Sequence, residues 1–329
     1  ASITSNDHDV GVGPLLIEQL EVVKGPASLL YGSGAIGGVI NAVDNKIAKV
    51  ENDGLSGGAE VRGASSATGE KSAVFGLDLG AGSWNFHVDG YSNETDDHEI
   101  PVGGESIYQL LDEGEETDHA GESAVLENSS SEASGGSFGI SKIFEDGYIG
   151  LSHSKTNKKY GLPGHGHHEE EHEEEEEEHE DEEHEEEEHG DEEAVFLDLE
   201  QSVTNLQAEF DNPMQGVDSW FAGYSYTDYQ HVELEGDEVG TEFINKAKEF
   251  KSYINHSDIN GWDGIIGVQS ISRDFSAIGD EAFVPPSETR SNAIFLLEEK
   301  KFGALKWELG ARFESQKVTI DQAREGTTR

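Results

Sequence analysis

Cysteine is absent from this chain of 329 residues, and methionine occurs once, at Met214. Without cysteine there can be no disulfide, no thiolate metal ligand and no thiol nucleophile. No run of about eighteen apolar residues occurs either, which excludes a transmembrane helix. Basic residues are scarce: 21 Lys and Arg stand against 70 Asp and Glu, a net charge of −49. That excludes nucleic acid as a partner, because neutralising phosphates takes Lys and Arg; such a charge attracts cations instead. Proline numbers only seven while glycine reaches 40, a balance that suits many strands joined by tight turns. No nucleophile–base arrangement stands out, so no covalent chemistry is implied.

The most informative stretch is residues 17–43, IEQLEVVKGPASLLYGSGAIGGVINAV. Glu21-Val22-Val23 reads as a short strand ending at Gly25. Pro26 can then open a helical turn, since its missing N–H costs nothing at the first helical position. Ala27 to Tyr31 continue the turn, and Gly32 and Gly34 supply the permissive backbone that ends it. Val39 to Val43 read as a second strand. Gly32, Gly34 and Gly37 also spell G-x-G-x-x-G, but a dinucleotide site needs a strand before the glycines and a helix after them. Here the order is reversed, and the glycines are expected to shape tight turns.

This run resembles the end of the plug domain of TonB-dependent outer-membrane receptors. The resemblance implies the outer membrane of a Gram-negative bacterium, a barrel around the plug, and the TonB energy-transducing complex as partner. The chain begins at Ala1 without a signal peptide and stops at Arg329 just after a strand pattern, so it reads as an internal fragment. The signal sequence, TonB-contacting box, first plug half and later barrel strands of the family would then lie outside it.

From about residue 55 the pattern changes to alternation, the mark of barrel strands. Leu305, Trp307, Leu309, Ala311 and Phe313 share one face, opposed by Lys306, Glu308, Arg312 and Glu314. Trp84, Phe86 and Val88 likewise oppose Asn85, His87 and Asp89, and Leu206, Ala208 and Phe210 oppose Asn205, Gln207 and Glu209. A soluble β-sandwich would show the same period, so loop lengths matter. Short turns are read at 80–83, 145–147, 212–216, 257–263 and 301–303, and long polar segments at 94–127, 158–194, 230–247 and 273–290. Short turns at one rim and long loops at the other are the outer-membrane pattern. Trp84, Trp220, Trp262 and Trp307 all lie in or near the short turns, as an interfacial aromatic girdle would. The expected fold is all-β: a transmembrane antiparallel β-barrel, about eleven of 22 strands, with the C-terminal part of an α+β plug. Residues 1–48 are assigned to the plug and 49–329 to the barrel, with an extracellular loop at about 158–196.

Residues 165–193, HGHHEEEHEEEEEEHEDEEHEEEEHGDEE, hold seven histidines, twenty carboxylates and two glycines. Like charges repel and no core can be buried, so the tract is expected to stay solvated. Imidazole and carboxylate are the ligands Zn²⁺ accepts where thiolate is absent, and His-rich tracts point to metal binding. The candidate ligands are His165, His167, His168, His172, His179, His184 and His189. His165, His167 and His168 can converge within a turn, whereas His179, His184 and His189 recur every five residues, a spacing suited to several weak, adaptable sites. Cu²⁺ and Ni²⁺ would outcompete zinc on raw affinity, and a solvated acidic loop with incidental histidine is the bland alternative.

A TonB-type plug with such a loop between early strands resembles the ZnuD-type zinc receptors. The flanks Tyr160-Gly161-Leu162-Pro163-Gly164-His165 and Ala282-Phe283-Val284-Pro285-Pro286-Ser287 are similar too. In those receptors an Asp-His-Asp in the plug contributes a zinc site, which carried over implies Asp7, His8 and Asp9 here, with Glu281 a candidate ligand from the barrel. On the residues alone, Asp7-His8-Asp9 reads first as an Asx-type turn with a solvated histidine, and only the position in the resembling family turns the reading to zinc. Neighbours on an extended loop cannot all point one way, so two of the three are expected to ligate. His98, His119 and His231 are expected to be solvated loop histidines, and His87 and His153 receive no role. Two readings stay open: a zinc transporter, with Zn²⁺ as cargo, and a siderophore or haem receptor with an acidic surface loop. Sparse Lys and Arg in the loops count against the second. A soluble metal-buffering adhesin is a weaker third.

Overall fold

The computed structural model describes residues 14–64, 67–100, 124–163, 194–236, 238–279, 282 and 284–320. After a 3-10 turn at Pro14–Leu16 come β1 (Gln19–Val23), two further 3-10 turns at Gly25–Tyr31 and Ser33–Gly37, and β2 (Val39–Val43). β1 and β2 pair antiparallel, Gln19 opposite Val43 and Val23 opposite Val39. Pro26 occupies the first positions of its turn, where a missing N–H leaves nothing unsatisfied. Gly38, at φ +120° and placed where an added Cβ would stand 3.0 Å from the Val23 carbonyl oxygen, lets the second turn fold straight back into β2.

The remainder is β3 (Leu55–Gly63), β4 (Lys71–Ala81), β5 (Trp84–Thr95), β6 (His98–Ile100), β7 (Ala124–Leu126), β8 (Ser131–Phe144), β9 (Gly147–Gly161), β10 (Val195–Met214), β11 (Val217–Glu235), β12 (Glu238–Ile259), β13 (Trp262–Gly279), β14 (Ser287–Phe302) and β15 (Leu305–Ile320). Eleven of these strands form one sheet in the order β15-β14-β13-β12-β11-β10-β9-β8-β5-β4-β3, and β6 pairs with β7 in a small separate hairpin. The large sheet is antiparallel throughout and follows chain order, an up-and-down meander. Eleven strands in chain order are what the alternation predicts.

The two faces differ in chemistry. Phe75, Leu77, Trp84, Phe86, Val88, Leu206, Trp220, Tyr224, Ile266, Trp307, Leu309 and Phe313 are exposed on the outer face, where lipid receives them. The opposite face buries Ser72, Asn85, His87, Asp89, Ser137, Ser141 and Gln269. Trp84 and Trp262 open their strands straight after short turns, so the girdle marks the rim of short turns.

Two of the long polar segments are not loops. β11 and β12 run through 230–247 and meet at a tight turn, with Glu235 opposite Glu238. β13 continues to Gly279 and β14 resumes at Ser287, so 273–290 is mostly strand. These strands carry polar residues on both faces beyond the apolar belt, and without an apolar stripe their alternation is invisible in sequence. His231 is accordingly no solvated loop histidine: it lies on β11, 1% exposed, stacked 4.4 Å from Phe243.

Candidate functional site

The inner wall behind β2 carries a charged relay. His87 Nδ1 lies 2.8 Å from Asp78 Oδ1, and His87 Nε2 lies 2.9 Å from Asp89 Oδ2. Ser137 Oγ donates to the same Asp89 oxygen at 2.5 Å. β4 and β5 bring the three together, since Asp78 is the register partner of His87 and Asp89 follows two residues along the same face. With a carboxylate at each ring nitrogen, both nitrogens must donate, and no imidazole lone pair remains for a metal. The relay is therefore a structural tie between strands. Replacing His87 by alanine leaves two carboxylates facing an uncompensated interior. Removing one partner of a buried pair costs about 3–5 kcal/mol, and the 20% exposure of the Asp78 side chain places this site at the low end. The check is the temperature at which the full-length barrel loses its heat-modifiable gel mobility, which falls in His87→Ala; an unchanged transition would refute the tie.

The segment between β2 and β3 sits in a seat cut into this wall. Asn85 Nδ2 donates to the Val50 carbonyl at 2.8 Å, and the Asn52 N–H donates to Asn85 Oδ1 at 2.9 Å, so one amide, 2% exposed, grips the chain from both sides. Ile47 packs with Ile143 and Tyr148 in a small apolar cluster. A Cβ at Gly139 would stand 1.7 Å from the Lys46 carbonyl oxygen, and one at Gly80 equally close to that of Asn52. On the far side the 3-10 turn at Gly25–Tyr31 is held by β15 and β12. Arg312 Nη1 donates to the Leu29 carbonyl at 3.3 Å, and Lys251 Nζ stands 5.0 Å from the Tyr31 ring centroid. Burial, with Glu21 nearby, pushes the Tyr31 phenol upward, keeping the ring neutral and its face available to the ammonium.

Between β2 and the wall formed by β5, β8, β9 and β10 a cleft of about 240 Å³ remains, lined by Leu16, Asp44, Lys46, Asp89, Ser154 and Asn205 among others. Asp44 and Lys46 form an ion pair of 2.7 Å beside it. Asp89 Oδ1 is buried there without a hydrogen-bond partner among the described residues, so the floor of the cleft offers a carboxylate oxygen.

At the rim opposite the short turns, β9 and β10 deliver the two ends of the acidic tract side by side. The Leu162 N–H donates to the Val195 carbonyl at 3.0 Å, and Asn128 Nδ2 donates to both the Leu162 and Val195 carbonyls. Leu162, Val195 and Leu197 pack into a buried cluster, so apolar residues staple the loop where its charges begin.

The residues singled out as metal ligands, Asp7, His8, Asp9, His165, His167, His168, His172, His179, His184, His189 and Glu281, all lie outside the described residues. Among the described residues no group of three or more His, Asp and Glu could hold a metal ion. The sequence reading missed His87, whose alternation placed it correctly on the inner face but did not show its two carboxylate partners. It also missed His256, which lies 3.1 Å from Glu298. Strand register, legible only after folding, makes both pairs.

Residues 3–39 match the family model described as the TonB-dependent Receptor Plug Domain. A hemin receptor of Yersinia pestis is 43% identical over 87 residues, 26% of this chain and 12% of that protein; the hemin receptor of Yersinia enterocolitica matches equally. Among solved structures, the copper transporter OprC superposes with a TM-score of 0.66 at 14% identity, covering 94% of this chain and 44% of OprC. The FrpB iron transporter from Neisseria meningitidis gives 0.63 at 13% identity, over 93% of this chain and 48% of FrpB. The chain thus spans less than half the length of these solved receptors. At such identities the likeness shows the fold.

Proposed function

We propose that this chain, which carries the plug segment and half the barrel of an outer-membrane TonB-dependent receptor, serves in energised uptake of zinc. The family is non-enzymatic, and the work is capture and passage of cargo. The observation that carries the cargo assignment is the composition of residues 165–193, seven imidazoles among twenty carboxylates, anchored at both ends on the rim of long loops. Imidazole distinguishes this tract from a calcium-type acidic loop, since Ca²⁺ takes oxygen ligands. The tract would concentrate cations, and Asp7, His8 and Asp9 would bind the ion in transit, with Glu281 a further ligand from the barrel. Five residue steps lead from Asp9 to Pro14, a reach of at most about 18 Å, and Leu16 already lines the cleft. The TonB complex would then move the plug and open the cleft.

The test is deletion of residues 165–193 from the full-length receptor. Growth on limiting zinc is expected to fall and bound zinc to drop by several equivalents, while heat-modifiable barrel assembly persists. Unchanged zinc-limited growth would reduce the tract to surface decoration. A second reading, haem uptake, is favoured by the local identity to the Yersinia hemin receptors. Haem presents propionates, and the balance of 21 basic against 70 acidic residues opposes an anionic cargo. Titration of the purified receptor with zinc and with haem separates the two.

A further inference from the structure

The outer face of β12–β15 carries an ordered series of rows, each set by strand register. Nearest the short turns, Ile254, Ile266, Leu296 and Ala311 stand in line, and above them Ser252, Val268, Ile294 and Phe313. The next row is Phe250, Ser270, Asn292 and Ser315. Phe250, Val268, Ser270, Asn292, Ile294, Phe313 and Ser315 line a groove of about 430 Å³ whose exposed surface is almost wholly apolar. Immediately above it the row changes character: Tyr226, Lys248, Ser272, Arg290 and Lys317 are successive register partners across five strands. Three cations in one row stand out in a chain with 21 Lys and Arg and 70 Asp and Glu.

The neighbours qualify the charge without cancelling it. One row higher stand Asp228, Lys246, Asp274 and Glu288. Arg290 is paired with Glu288 at 2.5 Å, and Lys246 with Asp228 at 3.4 Å. Lys248 and Lys317 are exposed and form no ion pair within the described residues. Two ammonium groups therefore flank the Arg290 guanidinium at the height where the apolar belt ends, on the side away from the short turns, which is the outer leaflet.

We propose that this face is a binding site for a phosphorylated, multiply acylated lipid of the outer leaflet. One acyl chain lies in the groove against Phe250, Val268, Ile294 and Phe313, and a headgroup phosphate lies on Lys248, Arg290 and Lys317. An acyl chain answers the apolar lining, burying surface that water would otherwise meet. Phosphate answers the cations, whose long stems reach along the sheet to the interface. Ser270 and Asn292, already bonded to each other at 2.9 Å, mark the polar boundary between the two halves. The inference is independent of which cargo the receptor carries.

The experiment uses full-length receptor in mild detergent, stripped of lipid and titrated with lipid A, a phosphorylated and multiply acylated glucosamine disaccharide. Retention of heat-modifiable mobility reports that each variant folds. Basic side chains near an anionic lipid surface contribute about fivefold each, so K248Q/K317Q is expected to weaken lipid A binding roughly 25-fold. Ile294→Trp, which fills the groove, should weaken it at least about tenfold. Lipid A with its phosphates removed should bind wild-type receptor at least tenfold more weakly. Equal affinity of the wild type and both variants, equal binding of the dephosphorylated lipid, or equally tight binding of phosphatidylglycerol vesicles would each overturn the proposal. So would full competition by inorganic phosphate.

Discussion

Full-length receptor in which both His8 and Asp9 are replaced by alanine is expected to lose the proposed tight zinc site and to stop importing zinc, while the proposed weak sites of residues 165–193 remain. The expectation follows from ligand chemistry. Zinc requires neutral imidazole, so occupancy of the histidine-rich tract falls as pH drops through the histidine range near 6.5. A site containing two aspartates keeps more of its affinity there, because aspartate deprotonates near 4. Two classes of site should therefore separate in one titration: many weak ones lost at acid pH and with deletion of the tract, and a tighter one that persists. Isothermal titration of the double variant at neutral and mildly acid pH reads both. A tight site surviving in the double variant would place the ion in the barrel and remove Asp7, His8 and Asp9 from the mechanism.

The other large effect is expected at a residue with no side chain. In Gly139→Val a Cβ meets the Lys46 carbonyl oxygen at 1.7 Å, a contact neither backbone can absorb, so the segment after β2 must leave its seat. The Asn85 grip on Val50 and Asn52 and the packing of Ile47 on Ile143 and Tyr148 are then lost together. Each unmade buried hydrogen bond costs about 1–3 kcal/mol, and an unseated segment leaves the barrel interior open. Full-length Gly139→Val should assemble as a barrel but leak ions in planar bilayers, with raised protease sensitivity in the 44–54 stretch. Asn85→Ala should show a weaker form of the same defect. Gly76→Ala is the control: its Cβ would meet nothing within 4 Å among the described residues, and it should behave as wild type. A closed, protease-resistant Gly139→Val receptor would show that the seat plays no part in holding the plug.

Much of this was legible in the chain. Alternation assigned Trp84, Phe86 and Val88 to lipid and Asn85, His87 and Asp89 to the interior, because a period of two is a local property of each strand. Pro26 and the glycines around it announced their turns for equally local reasons. The polar stretches 230–247 and 273–290 misled, since a strand standing clear of the membrane has no apolar stripe to betray it, and His231 was lost with them. The proposal that residues 165–193 capture metal rests on their composition alone. What needed tertiary structure was every relation across strands: Asp78 with His87, Gly139 against Lys46, Arg312 on Leu29, and Lys248, Arg290 and Lys317 in one row. These pairs lie between nine and 283 residues apart. Register, set by the sum of a sheet's hydrogen bonds and turns, decides them, and no window of sequence contains that sum.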